Sequence, residues 1–533
     1  MPERPARTAH RDTFARDHLP PRDLWPRFEY TLPELHYPKL LNCAVELLDH
    51  NVERGLGSHV AFRFLGGDCT YGELLELTNS IANLLVGSFG LVPGQRVLLR
   101  SPNNLMLVAC WLAILKAGGI VVCTMPLLRE RELRFIIDHA RVNLAITDER
   151  FADELTAAAA GKTPVIRFGQ LQAVGKTSAF ANVHTYADDI AIIAYTSGTT
   201  GEAKGTVHFH RDMLACCDCW PPRVLKAEPD DVFCGSPPLA FTFGLGGLVL
   251  FPMRIGASAL LLEQAAPPQL LAAIQEFRPT ITFTSPTAYR AMLGRIREHD
   301  VSSLRKSVSA GEALPLPTFE AWKQATGIEI IDGIGATEML HIFISASGGD
   351  IRPGSTGKVV PGYQARVVDE NMRDVSRGEI GKLAVRGPTG CRYLANIERQ
   401  RAYVRDGWNL TGDAYRMDAD GYFWYQARAD DMIISSGYNI SGPEVENVLL
   451  EHPAVLECGV VGVPHDERGS IVKAFIVLKP DVVPSEPLVL ELQEYVKRQI
   501  APYKYPRAIQ FMDSLPRTNT GKLQRYKLRE LLA

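Results

Sequence analysis

The amino-acid sequence predicts an α/β protein with a large N-terminal domain and a small C-terminal domain. Apolar β-branched runs alternate with helical patterns from about Arg96 onward, which indicates mostly parallel sheets with helices packed on their faces. The chain has 533 residues, more than one compact core normally accommodates, so at least two domains are expected.

Short apolar runs give the individual strands of the predicted sheets. They are Val97–Leu99, Ile120–Cys123, Leu144–Thr147, Ile190–Tyr195, Ala259–Leu262 and Ile281–Thr284. The segment Leu105–Leu128 is apolar over nearly the length of a membrane span, but Lys116 and the pair Gly118–Gly119 interrupt it. We therefore interpret it as a buried helix, a glycine turn and a strand.

The sequence pattern changes twice in the C-terminal third of the chain. Between Ile351 and Arg386, Gly, Pro and Asp turns separate short strands, which predicts a β subdomain. After Arg428, a strand at 432–434, a helix opened by Pro443 and a strand around Val460 predict a separate α+β unit. We place the domains at 1–429 and 430–533, with residues 1–30 forming an N-terminal arm at the surface.

Composition excludes several classes of protein. The chain carries 57 basic and 60 acidic residues, a net charge of -3, and so lacks the positive excess typical of nucleic-acid binders. The polar, Arg-rich N-terminus has no apolar segment of a secretory signal, so we expect a cytoplasmic protein without a membrane partner. Its ten cysteines are then predicted to be reduced thiols. The oligomeric state stays open, with a homodimer among the alternatives.

One group of metal-binding residue types needs separate consideration. His208 and His210 precede Cys216, Cys217 and Cys219. Structural zinc sites normally combine two ligand pairs at characteristic spacings, and no second cysteine pair accompanies this group. We therefore predict no zinc site here.

A loop rich in glycine and hydroxyl groups follows the predicted strand Ile190–Tyr195. Its sequence is Tyr195-Thr196-Ser197-Gly198-Thr199-Thr200-Gly201-Glu202-Ala203-Lys204-Gly205. The glycines let the backbone approach a ligand, the hydroxyls supply donors and Lys204 supplies a positive charge, which together suit phosphate groups. The loop is not that of P-loop NTPases, because Gly205 stands where Ser or Thr would follow the lysine. Taken alone, the segment could also be a flexible surface loop.

Five further motifs follow in a fixed order. They are Ser309-Ala310-Gly311-Glu312-Ala313-Leu314-Pro315, Asp332-Gly333-Ile334-Gly335-Ala336-Thr337-Glu338, Leu410-Thr411-Gly412-Asp413, Arg428-Ala429-Asp430-Asp431 and Arg517-Thr518-Asn519-Thr520-Gly521-Lys522. With the loop, they resemble the signature of the adenylate-forming superfamily of acyl-CoA synthetases, carrier-loading adenylation domains and luciferases. The sequence departs from that pattern at Ala203, usually Pro, and at Ile334, a Tyr in many members.

The resemblance implies a binding site for ATP and Mg²⁺. It gives Thr196, Ser197, Gly198, Thr199, Thr200, Gly201 and Lys204 to the phosphates, and Gly311, Glu312, Ala313, Asp332, Gly333 and Ile334 to the adenine slot. It also implies that Asp413 accepts the ribose hydroxyls beside Arg428, that Thr337 contacts the α-phosphate, and that Glu338 and Thr196 hold Mg²⁺, a cation that prefers oxygen ligands. Lys522 is the expected catalytic cation, because attack of a carboxylate on a phosphate brings two anions together.

A second half-reaction with coenzyme A is also implied. Lys522 would occupy the path of the thiol, and members of the superfamily resolve this conflict by rotating the small domain about a hinge, which Asp430 matches. After rotation, Gly437 would give the thiol room in a tunnel lined by Ser435–Asn439. Lys504 and Arg507 could contact the CoA nucleotide or form a solvated basic face.

The segments between the shared motifs indicate an aromatic acid. Phe241 takes the place of the aromatic residue beside the acyl group, and an aromatic wall suits a flat ring. The segment Glu338–Phe343 resembles benzoate and 2-aminobenzoate CoA ligases, and Pro237–Gly247 resembles the 2-aminobenzoate (anthranilate) group. His341 could orient a ring substituent or the carboxylate, or it could be a core histidine satisfied by backbone. The predicted acid pocket is completed by Ala310, Gly335 and Ile342.

The expected function is that of an ATP-dependent acid–thiol ligase. It would adenylate an aromatic acid, with 2-aminobenzoate favoured, and transfer the acyl group to CoA with release of AMP and diphosphate. The alternatives are a benzoate CoA ligase and an aryl adenylation enzyme that loads a carrier protein. A non-catalytic nucleotide-binding protein on the same fold is disfavoured by the intact set Lys204, Glu338, Asp413, Arg428 and Lys522.

Overall fold

The computed structural model describes residues 7–172, 179–196, 203–428, 431–435, 438–465, 469–500, 502–518 and 522–531. None of the helices in these ranges is long and apolar enough to cross a membrane.

The large domain contains most of the secondary structure. Its strands are β1 (Val60–Phe64), β2 (Gly67–Thr70), β3 (Arg96–Arg100), β4 (Ile120–Thr124), β5 (Leu144–Thr147), β6 (Val165–Arg167), β7 (Ile190–Thr196), β8 (Lys204–Phe209), β9 (Val232–Gly235), β10 (Ser258–Leu261), β11 (Ile281–Thr284), β12 (Lys306–Ala310), β13 (Ile330–Gly335), β14 (Ile342–Ser345), β15 (Lys358–Val359), β16 (Gln364–Val368), β17 (Ile380–Arg386), β18 (Val404–Arg405), β19 (Trp408–Met417) and β20 (Phe423–Arg428). Its α-helices are α1 (Phe14–Asp17), α2 (Tyr71–Gly87), α3 (Leu105–Lys116), α4 (Glu130–Ala140), α5 (Ala152–Ala159), α6 (Phe168–Gln172), α7 (His210–Trp220), α8 (Thr242–Leu245), α9 (Phe251–Ile255), α10 (Pro267–Phe277), α11 (Pro286–Leu293), α12 (Leu316–Thr326) and α13 (Ile397–Tyr403).

Two large sheets organise this domain. The nine-stranded sheet has the order β15-β14-β13-β12-β11-β9-β10-β1-β2, and its central pairs from β13 to β1 are parallel. The six-stranded sheet has the order β6-β5-β3-β4-β7-β8 and is parallel except for the last pair. One hydrophobic cluster joins the two sheets through Phe62, Val121, Leu74 of α2, Leu107 of α3 and Met213 of α7. The predicted α/β class is confirmed.

The local sequence explains where the helices begin. Thr70 caps α2 through a reciprocal hydrogen-bond pair with Glu73, a capping box. Asn104 caps α3, and every residue of that helix from Met106 to Lys116 is buried. The apolar segment Leu105–Leu128 is therefore a buried helix followed by the parallel strand β4, as predicted.

A smaller antiparallel sheet follows, in which β16, β17, β19 and β18 lie side by side and β20 pairs with β19. The small domain contains β21 (Ile433–Ser435), β22 (Tyr438–Ile440), β23 (Val455–His465), β24 (Gly469–Leu478) and β25 (Ala508–Phe511), with helices α14 (Gly442–Glu451), α15 (Glu486–Gln499) and α16 (Arg525–Glu530). Its core lies between α14, α15 and the sheet β23-β24-β25. The predicted domain boundary falls on residues 429 and 430, outside the described residues, and stays a prediction.

The N-terminal arm packs more closely than its polar sequence suggested. Ala15 is buried, and Asp12 forms an ion pair of 2.6 Å with the buried Arg96. The Trp25 ring lies 5.9 Å from the Phe209 ring. The sequence prediction of a surface arm missed these anchors because each one depends on a partner far away in the chain.

Candidate active site

The predicted phosphate loop joins two strands of the six-stranded sheet. Strand β7 ends at Thr196 and β8 begins at Lys204, and these two residues face each other in the antiparallel register. Residues 197–202 lie outside the described residues, so Ser197, Gly198, Thr199, Thr200 and Gly201 keep their predicted roles untested. The pKa of Lys204 is lowered by burial and by Arg399, against the attraction of Glu338. Lys204 and Glu338 therefore lie close enough for their charges to attract each other.

Thr337 and Glu338 lie in a 3-10 turn just after β13. The buried His208 hydrogen-bonds the Thr337 carbonyl oxygen through Nε2 at 2.7 Å. The Tyr393 hydroxyl donates to Glu338 Oε1 at 2.6 Å. These two contacts hold the backbone and the carboxylate of the turn separately, and the sequence motifs gave no signal for Tyr393.

Asp413 and Arg428 face each other on the adjacent strands β19 and β20. Arg428 Nη1 donates to Asp413 Oδ1 and to the Thr411 carbonyl, both at 3.1 Å. Burial raises the pKa of the Asp413 carboxyl, and the positive charge of Arg428 opposes that shift. Gly412 has φ +78°, and a Cβ there would lie 2.6 Å from Arg428 Nη2. The positive φ therefore favours glycine at this position of the motif.

The two predicted adenine-slot motifs meet at the carboxyl ends of neighbouring parallel strands. Strand β12 runs into Gly311, Glu312 and Ala313, and β13 carries Asp332, Gly333 and Ile334, with Ser309 opposite Asp332 in register. Ligands commonly bind at this edge of an open α/β sheet. Asp332 Oδ1 is buried and has no hydrogen-bond partner among the described residues. Burial raises the pKa of that carboxyl to about 7.

Lys522 of the small domain reaches this slot. A Cβ on Gly311, whose φ is +90°, would lie 3.5 Å from Lys522 Cε and 3.8 Å from Nζ. Lys522 as a whole residue stays exposed in an open cleft, yet partial desolvation of the ammonium lowers its pKa against the attraction of Glu312 and Asp413. The structure thus brings Lys522 to the residues predicted to hold the nucleotide.

His341 lies in an enclosure of aromatic rings. Its ring centroid is 5.8 Å from Trp220, 5.8 Å from Phe243 and 4.5 Å from Phe251. Both ring nitrogens are buried; one can donate to the Phe243 backbone, and the other has no hydrogen-bond partner in the described part of the chain. Desolvation lowers the pKa of His341 to about 3, opposed by the nearby backbone of Phe243. The imidazole is therefore neutral at pH 7, with one nitrogen able to accept and one able to donate a hydrogen bond.

Glycines bring neighbouring segments against this histidine. A Cβ on Gly246 would lie 2.3 Å from His341 Cδ2, and one on Gly335 would lie 2.8 Å from the His341 carbonyl. Ile342 packs over Gly333, where a Cβ would lie 2.8 Å from Ile342 Cδ1. The residues predicted for the acid pocket and those predicted for the adenine slot therefore lie against the same two strands, β13 and β14.

Phe241 and Ala310, the other predicted pocket residues, differ in placement. Ala310 is buried at the end of β12, beside the slot. Phe241 is half-buried at the N-cap of α8, and the ring of this segment that packs on His341 is Phe243. The sequence reasoning missed Phe243 because the motif position, and not the direction of the side chain, was all that the sequence offered.

Comparison with known proteins assigns the family. The model of the AMP-binding enzymes matches residues 48–393, and the model of the AMP-binding enzyme C-terminal domain matches residues 444–522. The chain belongs to the AMP-binding enzymes. The resemblance to the adenylate-forming superfamily inferred from the six motifs is thereby confirmed.

Several relatives of this AMP-binding enzyme carry names of aromatic acid ligases. The benzoate–CoA ligase of Thauera aromatica is 35% identical over 516 residues, covering 94% of this chain and 98% of the relative. The 3-hydroxybenzoate–CoA ligase of Aromatoleum sp. (strain CIB) is 32% identical, covering 92% of this chain and 97% of the relative.

Solved structures similar to this chain also carry names of aromatic acid CoA ligases. The anthranilate CoA ligase AuaEII in complex with anthranoyl-AMP has a TM-score of 0.89 at 37% identity, covering 94% of this chain and 99% of that chain. A benzoate CoA ligase from Burkholderia xenovorans LB400 has a TM-score of 0.85 at 36% identity, covering 92% of this chain and 100% of that chain.

The residues of this AMP-binding enzyme predicted to hold Mg²⁺ offer oxygen atoms, the ligands that this cation prefers. No cluster of three or more His, Cys, Asp or Glu able to hold a metal occurs in the described ranges, and all ten cysteines are free thiols. Glu338 offers one carboxylate oxygen beyond the one that accepts from Tyr393. Mg²⁺ commonly binds one or two carboxylates together with substrate phosphates, so Glu338 and Thr196 would hold it with the nucleotide. When bound, the cation would neutralise phosphate charge.

Asp430 and Gly437 lie outside the described residues, so the hinge and tunnel predictions remain predictions. Lys504 is paired with Glu444 at 2.6 Å, and the Arg507 guanidinium lies 4.8 Å from the Tyr505 ring centroid. Both basic residues thus already have partners within the small domain.

Proposed function

We propose that this protein is an ATP-dependent ligase that activates a small aromatic carboxylic acid as an acyl adenylate and transfers the acyl group to coenzyme A, with 2-aminobenzoate as the favoured acid. The observation that carries the choice of acid is His341, a neutral imidazole inside an aromatic enclosure with one ring nitrogen that has no partner among the described residues. The similarity to benzoate and anthranilate CoA ligases supports an aromatic substrate.

The adenylation step follows from the placement of the charged groups. Asp413 and Arg428 would hold the ribose, and Lys204 and Thr337 would hold the phosphates. Lys522 would place its ammonium between the attacking carboxylate and the α-phosphate, where negative charge accumulates in the transition state. Its lowered pKa arises from the same partial desolvation that strengthens its attraction for anions in the cleft.

The preference for 2-aminobenzoate follows from hydrogen bonding in the pocket. The amino group of this acid has N–H donors, and one His341 nitrogen is available as an acceptor. Benzoate has no donor at that position and would leave the nitrogen unpaired. An unsatisfied buried polar group costs about 1 to 3 kcal/mol, which corresponds to roughly 5- to 150-fold in kcat/KM.

A panel of aromatic acids tests the proposal. CoA-dependent AMP formation is measured with 2-aminobenzoate, benzoate and hydroxybenzoates, and 2-aminobenzoate should have the highest kcat/KM. His341→Leu should reduce the preference for 2-aminobenzoate over benzoate while benzoate is still used, whereas the control His36→Leu, at an exposed position, should keep it. Benzoate used as well as 2-aminobenzoate by the unmodified enzyme would instead identify a benzoate CoA ligase.

The acyl acceptor needs a separate measurement. CoA alone is added to enzyme, ATP and acid, and the thioester is detected by mass spectrometry. Adenylate formation without thioester would favour the alternative in which a carrier protein accepts the acyl group.

A further inference from the structure

The segments that flank residues 519–521 are paired with each other, and they carry Arg517 on one side and Lys522 on the other. The Thr518 N–H donates to the Lys522 carbonyl at 2.7 Å, and the Lys522 N–H donates to Thr518 Oγ1 at 3.0 Å. Arg517 and Leu523 pair as an isolated antiparallel bridge. Residues 519–521 are outside the described residues, but their flanks are tied together. A displacement of Arg517 therefore displaces Lys522 as well.

Arg517 connects these paired segments to the large domain. Its Nη1 donates to Thr287 Oγ1 at 3.3 Å, and its Nη2 donates to Glu457 Oε2 at 2.8 Å. Glu457 lies on β23 of the small domain, whereas Thr287 lies in the first turn of α11 in the large domain. The guanidinium thus has one anchor on each domain.

Thr287 also contacts Glu312, a residue of the predicted nucleotide slot. Its hydroxyl donates to Glu312 Oε2 at 2.7 Å, and its backbone N–H points at the same oxygen at 3.3 Å. Because the single hydroxyl proton goes to Glu312, the oxygen lone pairs are left to accept from Arg517. Both neighbours of this hydroxyl are charged, and hydrogen bonds to charged groups are stronger than those between neutral ones.

Glu312 also lies beside Lys522. Glu312 follows Gly311, the residue over which the Lys522 side chain passes, and its charge attracts the Lys522 ammonium. Its Oε1 is buried and has no hydrogen-bond partner among the described residues. The carboxylate held by Thr287 therefore stands beside the ammonium of Lys522, on the segment paired with that of Arg517.

We propose that Arg517, Thr287 and Glu312 form a docking contact that places Lys522 for adenylation and is released when the small domain turns for thioester formation. The inference rests on the proposed function, since it divides that function into two half-reactions. A lysine on a mobile domain needs a second point of attachment to fix its direction, and the Thr287 hydroxyl supplies that point. Arg517 and Thr287 are positioning residues, because they act through Lys522 and Glu312.

Thr287→Val tests the docking contact, because valine keeps the shape of threonine and removes the hydroxyl. Acyl adenylate formation from ATP and 2-aminobenzoate should fall by about 10-fold, the rate equivalent of one lost hydrogen bond to a charged group. Thioester formation from chemically prepared 2-aminobenzoyl adenylate and CoA should be unchanged, which also shows that the variant is folded. Thr287→Ser, which restores the hydroxyl, should recover adenylation.

Two further variants make the test decisive. Arg517→Gln should lower adenylation similarly, and the double variant with Thr287→Val should lose little more than either single variant, because both substitutions remove the same Arg517–Thr287 contact. The control is Arg295→Gln. Arg295 is exposed, lies just after α11 and pairs with Glu298, so its replacement should change neither half-reaction. Equal losses in both half-reactions, or additive losses in the double variant, would overturn the docking contact. If the unmodified enzyme forms no adenylate with any aromatic acid, the proposed function fails instead.

Discussion

Replacing Asp332 by asparagine should make the large domain more stable at pH 8. Asp332 lies within β13, among the residues predicted for the adenine slot, and its Oδ1 is buried, so desolvation outweighs the hydrogen bonds from the Gly333 backbone and the Ser309 side chain. Burial raises the pKa of this carboxyl from 3.8 to about 7. The unfolded chain therefore loses the proton at lower pH than the folded chain does.

The size and sign of the effect follow from this difference. Between pH 4 and pH 7 the folded state binds the proton and the unfolded state does not, so stability falls as the pH rises through this range and then levels off. Each pH unit in this window lowers the free energy of unfolding by about 1.4 kcal/mol, so the largest possible loss is about 4 kcal/mol. Because the residue keeps some exposure to the cleft, we expect roughly 1 to 3 kcal/mol for Asp332→Asn at pH 8, and little change near pH 4.

Tryptophan fluorescence during denaturant unfolding measures this change. All six tryptophans lie before residue 429, so their signal reports on the large domain alone. The free energy of unfolding is compared at pH 4.5 and pH 8 for the unmodified protein, Asp332→Asn and the exposed control Asp481→Asn. A pH dependence that is the same in Asp332→Asn and in the unmodified protein would refute the assignment of a raised pKa to Asp332.

Three other perturbations have distinct expected outcomes. Lys522→Ala should lower the rate of adenylation by a factor of roughly 10² to 10³ and leave thioester formation from prepared acyl adenylate nearly unchanged. Stopped-flow assays of each half-reaction measure this, and equal losses would contradict domain rotation. Gly246→Ala places a Cβ 2.3 Å from His341 Cδ2, so the His341 ring must shift from its place in the proposed acid pocket. A lost hydrogen bond to the acid, worth about 1 kcal/mol, should raise KM for the aromatic acid by about 5-fold while KM for ATP holds. Parallel changes in both would argue against an acid pocket there. Lys116→Met should destabilise the large domain by about 3 kcal/mol, because it removes the ion pair of 2.8 Å with the half-buried Asp49. Adding Asp49→Asn should recover part of the lost stability in the same fluorescence assay.

The family could be read from the sequence because its motifs are local patterns, and the same patterns predict the nucleotide site. A glycine-rich loop after an apolar strand, or a glycine before Asp413, has the same backbone requirement wherever the strand lies in the protein. Gly412 illustrates this, since its positive φ favours glycine immediately before Asp413, which pairs with Arg428. The α/β class was likewise readable, because parallel strands buried on both faces give continuous apolar runs such as Ile120–Thr124.

The contacts that orient these residues could not be read from the sequence. His208 and Tyr393 hold the Thr337–Glu338 turn from positions more than fifty residues away, and Phe251 and Trp220 surround His341 from separate helices. Sequence order gives no distance between such residues, because helix packing and sheet order decide which side chains meet.

The sequence by itself determined which functional groups are available: a lysine-bearing C-terminal motif, two carboxylates, a basic partner and a loop predicted to bind phosphate. Only the tertiary structure decided how these groups meet. It brings Lys522 over Gly311, joins Arg517 to Glu312 through Thr287, and buries His341 among aromatic rings. The physical reason is that motifs encode backbone conformation and functional groups, whereas burial and direction arise when distant segments exclude water from the same space.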